Sequence, residues 1–209
     1  MKKLILLAAA VMIFVAIVFI LDSGEKEGLV DSYTLYYDGD YRHFRGDLLE
    51  ASKIEIIPNE DAIRQILLNP EVFKIHIAYI PDDAENAFYL ASSFEITSKL
   101  SLAYMHYFTG DVSTFEDTDG SSCLLFYYDR QTRCFNSLPI NSTDELVPTP
   151  IEPVILLLGP SHTNKTQVAV EDNLITIEGS DFTEIGRKYT DLDLAVDKML
   201  LVILGLNQQ

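Results

Sequence analysis

A chain of 209 residues with 32 Asp and Glu against 15 Lys and Arg carries a formal charge of −17. That balance repels phosphate backbones, and no basic patch with interleaved aromatics offsets it, so the composition argues against nucleic acid as a partner. The length allows one well-packed domain or two small ones.

The chain begins with an apolar run that starts at Leu4, ends at Leu21 and contains no charge, Gly or Pro over its 18 residues. As a helix it spans about 27 Å at about 1.5 Å per residue, close to a hydrocarbon core of about 30 Å. Lys2 and Lys3 precede it, whereas Asp22, Glu25 and Glu27 follow. The positive-inside bias then places the N-terminus in the cytoplasm and the rest of the chain outside the cell. A cleaved signal peptide is the competing reading. The run exceeds a usual h-region, and Phe19-Ile20-Leu21-Asp22 lacks the small-x-small pattern of a cleavage site, so a retained anchor is expected. A core helix in a cytoplasmic protein is the blander alternative. Residues 22–209 hold 13 basic and 32 acidic side chains, a formal charge of −19. The expected plan is a transmembrane anchor at 1–21, a tether at 22–32 and an extracytoplasmic domain at 33–209.

Within that domain, residues 33–37 read as a strand, Asp38-Gly39-Asp40 as a turn, and 41–44 as the returning strand of a hairpin. Two similar units follow. Residues 53–57 form a strand closed by Pro58, and Asn59 can cap a helix over 60–68 in which Ile63, Ile66 and Leu67 share a face. Residues 72–80 repeat the pattern, closed by Pro81, with Asp82 or Asp83 capping a longer helix to about Phe108. There Phe88, Ala91, Phe94, Leu102 and Met105 recur at helical spacing. The repetition suggests a right-handed βαβ crossover.

Leu124 to Tyr128 and Arg133 to Ser137 look like a hairpin whose register is open, with Cys123 and Cys134 joined by a structural disulfide suited to an oxidising exterior. The polar segment 141–153, with three prolines, reads as an extended connection and a candidate subdomain break. Residues 154–158 form an interior strand, 167–170 and 174–178 a hairpin, and 192–204 an amphipathic helix with Asp193 and Asp197 on its wet side. The expected fold class is therefore α+β: an N-terminal transmembrane helix, then a mixed β-sheet domain with about three packing helices.

The motif closest to chemistry is Gly159-Pro160-Ser161-His162-Thr163-Asn164-Lys165-Thr166, which matches a phosphate-binding loop except that Asn164 replaces the Gly before Lys165. Context argues against it. Such a loop opens a helix whose amides hold phosphate, whereas the residues after Thr166 read as a strand, and an exterior location denies it ATP. Asn141-Ser142-Thr143 and Asn164-Lys165-Thr166 are acceptor triplets for N-glycosylation, with unmodified loops an equal reading. Asp117 and Asp119 resemble the start of a calcium loop that lacks its later ligands, which favours a solvated turn. Arg45-Gly46-Asp47 is an adhesion tripeptide by chance match. The four histidines show no metal-ligand spacing, no catalytic pair is visible, and no cofactor is implied.

Residues 154–160, Asn164, Thr166, residues 174–179 and residues 192–198 together resemble the tail of uncharacterised archaeal single-pass membrane-anchored proteins. The resemblance covers the last quarter of the chain and implies a membrane-anchored exterior domain, with no activity and no catalytic residues to carry over. The expected function is a surface structural or partner-binding module whose partners are the bilayer and a protein on the cell surface. The alternatives are an anchored hydrolase or nucleotide-binding enzyme using residues 159–166, and a calcium-dependent surface module.

Overall fold

The computed structural model describes residues 28–107, 112–116, 122–126, 134–182 and 189–206. The apolar run at 4–21 and the candidate calcium residues Asp117 and Asp119 lie outside the described residues, as do the side chains of Cys123 and Cys134. Among the described residues, no helix is long and apolar enough to cross a membrane.

The fold is α+β. Strands β1 (Gly28–Asp31), β2 (Thr34–Tyr37) and β3 (Asp40–His43) form a small antiparallel sheet. Tyr37 pairs with Asp40 across a two-residue turn in which Asp38 and Gly39 have φ of 50° and 77°, the left-handed geometry an Asp-Gly hairpin uses. Helix α1 (Leu48–Ala51) is capped by Asp47, and α2 (Glu60–Leu67) by Asn59, whose side chain accepts from the Ala62 amide.

The main sheet contains β4 (Glu55–Ile57), β5 (Lys74–Tyr79), β8 (Cys134–Pro139), β9 (Val154–Leu158), β10 (Gln167–Glu171) and β11 (Leu174–Glu178) in the order β4-β10-β11-β9-β5-β8. Strands β11, β9, β5 and β8 run parallel, β10 is antiparallel to β11, and β4 runs with β10. Helix α3 (Asn86–Tyr107) leaves β5, the pair β6 (Val112–Glu116) and β7 (Ser122–Phe126) follows, and α4 (Asp191–Ile203) comes last.

Alternation along the strands gives the sheet two dry faces. Ile75, Ile77, Ile155, Leu157, Ile175 and Ile177 point to the helices. Ala78, Val154 and Leu156 point the other way, under Ile140 and Leu146 of the segment joining β8 to β9. That proline-rich segment links two strands of one sheet. Every residue of α4 from Leu192 to Ile203 is buried, with α1, α2 and α3 packed beside it and β10 and β11 beneath. A helix apolar on nearly all sides belongs in the interior.

Several sequence expectations change here. The unit spanning 53–80 is no βαβ crossover: β4 and β5 are antiparallel to one another, with three strands between them. The parallel crossover runs instead from β5 through α3 to β8. The Pro and acidic-cap pattern encodes where a helix starts, while strand pairing depends on the distant β10-β11 hairpin that fills the gap. The hairpin expected over 124–137 is also replaced. Strand β7 pairs with β6, with Cys123 opposite Phe115, while β8 pairs with β5, with Cys134 opposite Lys74. Finally, Asp193 and Asp197 are buried, because α4 has no wet side. On α3 the core face is Tyr89, Ile96, Leu100, Ala103 and Tyr104, and Phe94 of the expected face is exposed.

Candidate functional site

The parallel strands deliver their C-terminal ends to one edge of the sheet, where open α/β sheets place ligands. The loop 159–166 lies at that edge after β9. The amides of Gly159 and Ser161 are already occupied by the protein itself. The Glu85 carboxylate, buried just before α3, accepts from the Ser161 amide at 2.9 Å and from the Tyr89 hydroxyl, and that hydroxyl accepts from the Gly159 amide at 2.9 Å. A Cβ on Gly159 would overlap Glu85 and come within 2.8 Å of Phe182, which is why glycine stands there. Burial pushes the Tyr89 phenol well above its ordinary pKa, and the hydrogen bond to Glu85 adds to the shift.

Thr166 leads into β10 and not into a helix, so the loop opens no helix of its own. Lys165 is exposed, while Thr166 Oγ1 is 2.8 Å from both Ser180 Oγ and Asp191 Oδ2. Gly159, Lys165 and Thr166 therefore do not converge on a phosphate site. Glu85 holds the place of the anion. Tyr89→Phe is expected to cost about 1–3 kcal/mol, since it takes the partner from one oxygen of a buried carboxylate and from the Gly159 amide together. Lys165→Ala is expected to stay within about 0.5 kcal/mol. Urea denaturation of both variants checks this; equal effects would contradict it.

A second polar cluster joins α3, α4 and the loop after β3. Arg45 Nε is 2.7 Å from Asp193 Oδ1, the Gly46 amide donates to Asp197 Oδ2 at 2.6 Å, and Asp47 caps α1. The tripeptide at 45–47 is thus committed to the fold. Lys99 Nζ meets Glu95 Oε1 at 2.9 Å and the His43 carbonyl at 2.6 Å, over the Phe44 ring at 4.7 Å. Asp193 also completes a capping box with Thr190. Asp197 is fully buried and its Oδ1 has no hydrogen-bond partner among the described residues. Burial foremost, with Glu95 and Asp193 nearby, raises its pKa well above the ordinary value, against the lowering pull of the Gly46 amide and Lys99. Lys198, in turn, ties α4 to the Ser52 carbonyl at 3.0 Å and to Glu60 at 3.2 Å. These groups brace helices.

The remaining feature is the outer face of α3. Leu90 is 56% exposed and Phe94 75%, with Ala87 exposed and Ala91, Thr97, Ser98 and Leu102 half-buried beside them. The two charged residues of this helix, Glu95 and Lys99, are both turned inward. Thr97 and Ser98 donate to the Ser93 and Glu95 carbonyls, so their hydroxyls face the helix's own backbone. An uncharged, largely apolar stripe results on a helix about 33 Å long. Both faces of α3 are apolar enough to prefer a neighbour, and among the described residues only one has it.

Sequence spacing grouped Phe94 with the apolar residues that recur along α3, without saying which of its faces is covered. The braced cluster escaped it, although a continuously apolar helix containing Asp193 and Asp197 signals buried acids. Asn141 and Asn164 are both exposed, and Asn141 donates to Glu145 at 3.1 Å. Among the described residues, no group of three or more His, Cys, Asp or Glu is arranged to hold a metal. A shallow cleft of about 320 Å³ lies between α2 and the β10-β11 turn, lined by Pro58, Gln65, Ile66, Val170 and Asn173. No protein-family model, curated protein or solved structure matches this chain.

Proposed function

We propose that this chain is a partner-binding module, held at the membrane by the apolar run at residues 4–21 and presenting its α+β domain outside the cell. The observation that carries the binding role is the uncharged stripe of α3, where Leu90 and Phe94 are exposed within four residues of each other. Covering both would contribute roughly 2–4 kcal/mol, given about 1.5–3 kcal/mol for each fully buried Leu or Phe and their partial contact already made. That is enough to make the face a binding hot spot. The location rests on the lysines before the run and the acids after it. The archaeal resemblance of the tail agrees with it.

The full chain, cross-linked in its own membrane before extraction, is expected to migrate above its own mass under denaturing conditions. The double variant Leu90→Glu with Phe94→Glu is expected to lose that association while its thermal midpoint stays within a few degrees, because both sites are solvent-facing. A wild-type chain migrating alone, or a variant with unchanged association, contradicts the proposal.

A further inference from the structure

We infer that residues 45–47 form a pH-sensitive strap, closed over α3 and α4 while Asp197 carries a proton and lifted when it gives that proton up. Glu95, Asp193 and Asp197 meet where α3, α4 and the strap come together. The cations beside them are already taken, Lys99 by Glu95 at 2.9 Å and Arg45 by Asp193 at 2.7 Å. Asp197 is left with no counter-charge among the described residues, and its Oδ1 has no hydrogen-bond partner there. A carboxyl group so placed is tolerated neutral and costly ionised. Charged groups on the other elements packed against α4 are engaged elsewhere. Glu50 of α1 meets Lys53, Glu60 of α2 meets Lys198, and Asp61 and Arg64 of α2 meet each other. Glu178 of β11 meets Thr163, and Glu171 of β10 is exposed.

Of the two sides of this contact, the strap is the one able to move. Helix α4 is buried from Leu192 to Ile203, whereas Arg45 is exposed. The strap hangs between two backbone bonds, from the Phe44 amide to the Tyr33 carbonyl at 2.8 Å and from the Leu48 amide to the Ser32 carbonyl at 2.7 Å. Between those pins the Gly46 amide donates to Asp197 Oδ2 at 2.6 Å. A Cβ on Gly46 would stand 2.8 Å from that oxygen and 3.1 Å from the Leu194 side chain, so glycine permits the close approach and supplies the freedom to hinge.

Ionising Asp197 in the closed form sets an unpaired charge beside Glu95 and Asp193. Lifting Gly46 admits water and solvates that charge. Rising pH therefore favours the lifted form, by up to about tenfold per pH unit, from the ordinary carboxyl range until the pKa of the closed form is passed. Burial, with the two neighbouring acids, holds that pKa well above the ordinary value, against the pull of the Gly46 amide and Lys99.

Amide hydrogen exchange of the full chain in detergent micelles, with nitrogen-labelled glycine, compares Gly46 with Gly179, whose amide bonds to Leu158 in the main sheet. Between about pH 5 and about pH 8, protection of Gly46 relative to a free peptide is expected to fall at least tenfold in total. Urea well below the unfolding midpoint is expected to leave Gly46 exchange unchanged and to accelerate that of Gly179, because lifting a strap exposes little surface. Asp197→Asn, which keeps an acceptor for the Gly46 amide, is expected to abolish the pH dependence. Gly46 protection independent of pH in the wild type overturns the strap, and that outcome needs no variant. Exchange at Gly46 that follows urea as steeply as Gly179 also overturns it, since the contact then opens only when the whole domain unfolds. A pH dependence that survives in Asp197→Asn belongs to another group and overturns it as well.

Discussion

Gly179→Ala is expected to destabilise the protein by about 3 kcal/mol. Gly179 follows β11 where the chain passes under the first turn of α4, and its amide donates to the Leu158 carbonyl at 2.9 Å, continuing the β11-β9 ladder. A Cβ there would overlap the Leu192 amide nitrogen and lie 2.6 Å from Leu192 Cα. Both obstacles are backbone, so no rotamer change relieves them. Either the ladder shifts or α4 lifts, and lifting α4 disturbs the Thr190–Asp193 capping box and the packing of a helix buried along its whole length. Urea unfolding should show a lower midpoint with an unchanged slope. A midpoint shift worth less than about 0.5 kcal/mol, the scale of an ordinary surface substitution, would mean that α4 does not sit against β11 as described.

The second large effect is on the pH dependence of stability. The pKa of Asp197 is raised in the folded chain, chiefly by burial, so the folded state holds its proton more tightly than the unfolded state. For a raised carboxyl group the stabilising contribution is complete below the ordinary value of 3.8 and is lost as pH climbs through the folded value. Asp197→Asn keeps a carbonyl oxygen for the Gly46 amide and places a neutral group where Oδ1 has no partner. The stability of wild type relative to this variant should therefore fall as pH is raised above the ordinary value of 3.8, and level off once the folded value is passed. Near neutrality the variant should equal or exceed wild type. Thermal melts of the two chains across that range decide it, and parallel curves would show that Asp197 is ionised throughout.

Local chemistry made much of the fold legible. Asp38-Gly39, Asn59 and the alternation in 174–178 each specify their own structure through φ preference, capping or period, and each appears where expected. Pairing across the chain was not legible, because Pro58 and Pro81 close strands without naming their neighbours. The same limit explains the buried acids. Asp193 and Asp197 read as solvent-facing until Arg45 and Gly46, about 150 residues away, are placed against them. The strand after loop 159–166 stands where the sequence placed it, yet Glu85 as the acceptor of the loop's Ser161 amide is visible only in three dimensions. For α3 the difficulty was a helix with two apolar faces: periodicity reports that such faces exist and is silent on which one the domain covers.

The most direct test of an exposed α3 face that finds its partner outside the cell is side-chain labelling with a membrane-impermeant radical source. In the purified, dissociated chain, Phe94 at 75% exposure should label more than Phe73 at 50%. On intact cells the order should reverse: Phe73 and Val147 remain labelled because the domain lies outside, while Phe94 is protected severalfold by its partner. Phe94 remaining the more heavily labelled on intact cells would contradict the binding role, and no labelling of any of the three would contradict the location.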